Sequence, residues 1–68
     1  MTLEEAQKSI ARIISCKRDA EAAHGLEDDL HLAFIKDIAE GNIRECDIQK
    51  IAVELLALSE VDFPRWCA

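Results

Sequence analysis

His24 and His31 are the side chains of this 68-residue chain best suited to hold a metal or move a proton near neutral pH. They stand seven residues apart, across Gly25, with Glu27 and Asp28 between them. A helical zinc pair needs histidines at i and i+4, as in H-E-x-x-H, and a structural zinc needs four ligands. Neither pattern is present, so no metal and no cofactor are expected. His24 reads as a helix-end histidine favoured by the C-terminal dipole, and His31 as a solvent-facing one. The three cysteines, Cys16, Cys46 and Cys67, are an odd set without C-x-x-C spacing. They read as reduced, mostly packed thiols, with an intermolecular disulfide through Cys67 as the other option. Nucleophilic catalysis would need a thiol, a base and an orienting group together. Cys16 falls off the apolar stripe of its helix, and no spacing brings it to a histidine. No catalytic residue is expected. A small hydrolase-like or metal-dependent activity centred on His24 and His31 is the enzymatic reading that these spacings argue against.

The run Glu27-Asp28-Asp29 admits two readings. It is a solvated first turn, where acids suit the positive end of a helix dipole, or it is a docking site for a basic partner. Between Asp19 and Asp29 there are five acids and no base, which favours docking slightly. The residues expected to bind a protein partner are therefore Glu21, His24, Glu27, Asp28, Asp29 and Leu32.

Eight Lys and Arg against fourteen Asp and Glu give a net charge of −6. That balance argues against direct binding of nucleic acid, whose phosphates attract basic surfaces. A helix-turn-helix around Ala39-Glu40-Gly41-Asn42 fails on the same ground. The helix that would enter the groove offers Glu45, Asp47 and Glu54 against Arg44 and Lys50, and Asp37 and Asp47 stand where the motif places a small and an aliphatic residue. The N-terminus is acidic and amphipathic, unlike a signal peptide. The longest uncharged apolar run, Leu55-Leu56-Ala57-Leu58, is far short of a membrane span. A cytoplasmic protein with no membrane association is expected.

These residues have to be positioned by helices. Half of the chain is apolar, with two Gly, one Pro and no strand-like alternation. The pattern predicts one all-α domain over residues 1–68, a three-helix bundle with a short C-terminal helical turn. Thr2 and Glu5 form a capping box. Leu3, Ala6, Ile10, Ile13, Ile14 and Ala20 then fall at helical spacing, and Gly25 is a natural stop. Helix 1 is predicted from Leu3 to His24 and is the longest. Its stripe is apolar in the first half and turns polar at Lys17, Glu21 and His24, so its second half is expected to project past the core beside the acidic run. The 3-4 spacing of this stripe decays after Ile14, too soon for a coiled coil.

Helix 2 is predicted to begin at Leu26–Asp28, bury Leu30, Phe34 and Ile38, and stop at Gly41-Asn42. Helix 3 starts at an Asn42 cap or at Asp47, buries Ile48, Ile51, Ala52, Leu55 and Leu58, and ends near Ser59. Phe63 and Trp66, following Asp62, are predicted to form a turn that closes one end of the core.

Outside its main stripe helix 3 carries a second apolar patch, Cys46, Val53 and Ala57, and only Ile43, Asp47, Lys50 and Glu54 line its remaining side. It is either the central helix or the helix of a self-association face. A core of this size gives a stability balance near zero, so dimerisation is a natural remedy, and monomer and homodimer both stay open.

The stretch Leu26-Glu27-Asp28-Asp29-Leu30-His31 and the ending Asp62-Phe63-Pro64-Arg65-Trp66-Cys67-Ala68 resemble those of short uncharacterised all-helical proteins encoded in bacterial phages and prophages. The resemblance implies a bacterial or phage origin. Small acidic proteins of such elements often act by binding and blocking host proteins, and the resemblance carries that by analogy. The expected function is accordingly a small acidic, non-enzymatic protein-binding module, a phage-type inhibitor that occludes a host protein. The alternative is a self-associating structural helical module, a homodimer with no separate ligand.

Overall fold

The first helix is nucleated by its cap. In the computed structural model, which describes residues 1–61, Thr2 Oγ1 accepts from the Glu5 amide at 3.1 Å and Glu5 Oε1 accepts from the Thr2 amide at 2.8 Å. Two otherwise unpaired donors are satisfied at once. Helix α1 then spans Leu3–Ser15 and buries Ala6, Ile10 and Ile13.

Here the structure departs from the predicted boundary. Helix 1 stops at Ser15, not at His24, and α2 spans Ala20–Ala39 straight through Gly25. Two local interactions cause the break. Ser15 Oγ donates back to the Arg12 carbonyl at 2.6 Å, and the amides of Cys16 and Lys17 reach the carbonyls of Ile13 and Ile14, tightening the last turn. Asp19 then caps the next helix, its Oδ1 accepting from the Ala22 amide at 3.2 Å. Gly25 is exposed and helical, and a Cβ there would meet nothing within 4 Å. Glycine in a helix interior costs about 1 kcal/mol, which a long, tertiary-packed helix absorbs. The longest helix is therefore α2, and its 20 residues account for most of the 33 Å long axis of the molecule. Residues 17–24 are no projecting half of helix 1.

The end of α2 is the predicted one. Gly41 has φ 72°, its amide donates to the Ile38 carbonyl at 3.1 Å, and the Asn42 amide donates to the Asp37 carbonyl at 2.8 Å. This is a Schellman closure, which needs the left-handed conformation that glycine adopts freely. Asn42 is consumed by it and does not cap the next helix. Helix α3 spans Glu45–Leu58 with Arg44 at its N-cap. Asp47 is not the start but lies in the first turn, buried, where its Oδ2 accepts from Arg44 Nε and Nη2, both at 3.2 Å. Ser59 caps the C-terminus as predicted.

The connections 16–19 and 40–44 are short, so the helices run up, down and up. Helix α1 packs against both others, while α2 and α3 touch each other much less. The central helix is thus α1, and helix 3 is not. The core joins Ala6, Ile10 and Ile13 to Ala23, Leu30, Ile51, Leu55 and Leu58, with Ile43 buried just ahead of α3. Ile43 and Asp47, assigned to the side of helix 3 outside both its core stripe and its second patch, are both inside. The architecture is an all-α three-helix bundle. The predicted C-terminal turn with Phe63 and Trp66, and Cys67, lie outside the described residues.

The N-terminal amine ties the ends of the bundle together. It donates to Asp37 Oδ2 at 2.6 Å and to the Asn42 carbonyl at 3.3 Å. The Asp37 carboxylate, first through the hydrogen bond and then through its charge, raises the amine pKa above its ordinary value.

Candidate functional site: an apolar groove between the second and third helices

Successive residues of a helix point 100° apart, so three consecutive acids cannot share one face. The structure separates Glu27, Asp28 and Asp29 for this reason. Glu27 is buried, at 4% exposed, and drops out of any accessible docking surface. Asp29 lines the α1/α2 seam with Ser9, Arg12 and Leu26. Asp28 is exposed on the other side, its Oδ2 3.5 Å from Nδ1 of a largely covered His24. Glu21 is exposed in the first turn of α2, and Leu32 is exposed further along. The predicted acidic corner is thus not one patch.

His24 lies in the second turn of α2, not at a helix C-terminus, and His31 is half-buried, not fully solvent-facing. Both now sit on one helix, about 10 Å apart along its axis, too far to share one metal directly. Among the described residues no group of three His, Cys, Asp or Glu is placed to hold a metal ion. No helix of the described residues is long and apolar enough to cross a membrane.

The predicted self-association patch fares differently. Cys46 and Val53 line one shallow groove with Leu3, Lys50 and Glu54 on the α1/α3 side. Ala57, also exposed, continues the same stripe of α3. Cys46 is an exposed thiol rather than a packed one, while Cys16 is half-buried.

A strongly apolar groove on the surface was missed by the sequence reading. Because α2 and α3 barely touch, the seam between them stays open. Phe34 and Ile35 of α2 face Ala52, Leu55 and Leu56 of α3 across a groove of about 350 Å³, with His31 and Ser59 completing its lining. Ile35 is 61% exposed and Leu56 69%. Among the described residues no Lys, Arg, Asp or Glu lines it. The signal was present in Ile35 and Leu56, two large apolar residues beside the predicted stripes.

Charge is divided around this groove. Residues 1–18, which contain α1, hold four bases and two acids, whereas residues 19–61 hold three bases and eleven acids. Asp28 precedes Ile35 by seven residues, and Glu45 precedes Ala52 by seven and Leu56 by eleven. Each acid therefore falls on the stripe of its helix that borders the groove. Helices α2 and α3 are antiparallel, so Asp28 falls at the Ser59 end and Glu45 at the opposite end. Both acids are exposed.

Comparison of the chain with protein-family models, with curated proteins and with solved structures finds no match. The functional reading accordingly rests on the surface itself.

Proposed function

We propose that this chain is a small acidic, non-enzymatic protein-binding module acting in the cytoplasm. The observation that carries the reading is the open α2/α3 seam, where Ile35 and Leu56 present large apolar side chains to solvent within one continuous groove. Contiguous apolar surface of this kind marks interaction sites, and each such side chain gains about 1.5–3 kcal/mol when fully buried. At about 350 Å³ the groove lies at the lower end of small-molecule sites, roughly 300–1,000 Å³, and suits a row of side chains better than a drug-sized ligand. The phage and prophage resemblance supports a more specific version, an inhibitor that binds a host protein and occludes it. Asp28, Asp29 and Glu21 would then guide encounter more than set affinity.

The test is affinity capture from host-cell lysate with the wild-type chain and with Leu56→Glu, in low and high salt. The expected result is one host protein retained by the wild type and lost by the variant. Equal retention by both would move the contact away from the groove, and retention of nothing but the chain itself would end the reading.

A second reading has its own observation. Cys46 and Val53 share a groove with Leu3, with Ala57 beside them, which favours a self-associating structural module. It predicts a dimer that Val53→Glu dissociates, read by sedimentation velocity. A concentration-independent monomer removes it.

A further inference from the structure

We infer that the α2/α3 groove takes an amphipathic helix from another protein, apolar along one stripe and basic on its flanks, as the fourth helix of a bundle. The inference rests on the protein-binding reading above and specifies the partner's chemistry. Three observations carry it.

The first is shape. Two antiparallel helices that barely touch each other, both backed by α1, leave a straight trough between them. A third cylinder lying in that trough restores the packing that a four-helix arrangement provides. The second is the lining. Ile35 and Leu56 stand on opposite walls with Phe34 and Leu55 beneath, so a stripe of aliphatic side chains spaced i, i+3, i+4 and i+7 meets apolar surface along its length.

The third observation is charge. Among the described residues the groove has no Lys, Arg, Asp or Glu in its lining, and an exposed acid borders each end of it, Asp28 at one and Glu45 at the other. The chain segment that forms both walls carries eleven acids and three bases, whereas the bases of residues 8–18 belong to α1 and the turn after it. A partner with Lys or Arg beside its apolar stripe is attracted, and an acidic one is repelled. The same charge argues against a second copy as occupant. A two-fold dimer through this groove would set the acidic faces of both copies against each other.

Three synthetic peptides of about 18 residues, five helical turns, test this. One carries Leu on a single stripe and Lys on its flanks. One replaces every Lys with Glu. One scrambles the Leu/Lys sequence so that charge is kept and the stripe is lost. Binding is followed by NMR chemical shifts and titration calorimetry, with the oligomeric state of the free chain read by sedimentation. The expected result is binding of the Leu/Lys peptide with shifts at Ile35, Ala52 and Leu56. Affinity should fall about tenfold or more with Leu56→Glu and with the Glu peptide. Leu56 is largely solvent-exposed, so the variant keeps its fold, which circular dichroism verifies.

Equal binding of the Leu/Lys and scrambled peptides would reduce the attraction to unspecific charge and overturn the helix-in-groove inference. Equal binding of the Lys and Glu peptides would overturn the basic partner. Neither result bears on capture of a host protein in the lysate experiment, so the failure of this inference and of the broader reading stay distinguishable. A stable dimer of the free chain that Leu56→Glu dissociates would make a second copy the occupant, and would overturn both.

Discussion

Ile51 and Leu56 lie five residues apart on α3, yet Ile51 is fully buried and Leu56 is 69% exposed. The two belong to two different seams of the bundle. Where α3 meets α1, Ile51, Leu55 and Leu58 join Ile10 and Ile13 in one packed core. Where α3 faces α2, Ala52 and Leu56 line an open groove. The contrast shows how a chain this short divides its apolar residues. One seam group holds the fold together and the other is left for contact with something else. Hydrophobicity alone does not distinguish them, since Ile and Leu occur in both. What distinguishes them is whether α1 lies over the residue.

Substitutions at those two positions separate the seams most directly. Ile51→Ala removes a fully buried side chain and is expected to cost about 2–5 kcal/mol, a large part of the stability of a chain this size. Leu56→Ala is expected to stay within about 0.5 kcal/mol, as for surface substitutions elsewhere. Urea unfolding of both variants measures this. A comparable loss at Leu56 would show that the groove is closed in solution.

Gly25→Ala probes the α2 wall of the groove. With open space at its Cβ position and a helical backbone, the substitution is expected to stabilise the chain by about 0.5–1 kcal/mol. Had Gly25 ended helix 1 in a left-handed turn, the same change would destabilise it. A shift of the urea midpoint to lower concentration would therefore restore the Leu3–His24 helix and dismantle the α2 wall of the groove.

The smallest effect concerns pH. The N-terminal amine bound to Asp37 has a raised pKa in the folded state. Its stabilising contribution is complete below the unfolded amine value of about 8 and is lost as pH rises through the folded value. Stability measured from neutral to alkaline pH is expected to decline more steeply in the wild type than in Asp37→Asn. Identical slopes would show that the amine does not hold this end of the bundle.

Much of the fold was legible in the sequence because capping chemistry is local. Thr2 with Glu5, and Gly41 with Asn42, mark two helix ends through side-chain and backbone bonds that span only a few residues. The break at 16–19 was misread because two signals compete there. Gly25 looks like a stop, but glycine is only a weak penalty inside a helix, whereas Asp19 and the back-bonding Ser15 end one helix and begin the next. The decay of the apolar stripe after Ile14 already pointed to the true boundary. The candidate site was less legible. Consecutive acids look like a cluster in one dimension, and the 100° step scatters Glu27, Asp28 and Asp29 around α2. The groove depends on how far α2 stands from α3, which periodicity within one helix does not encode.

The two brief connections, 16–19 and 40–44, have a consequence for the speed of assembly. Helix α2 packs against α1 across the short connection 16–19, and closing such a loop takes on the order of 10–100 ns, after which α3 returns past α2 to pack against α1. Low contact order of this kind places helical bundles in the microsecond-to-millisecond range of folding times. A chain synthesised inside a cell would reach its folded form almost as soon as its third helix is free, with little time spent exposing Ile13 or Ile51 to other chains.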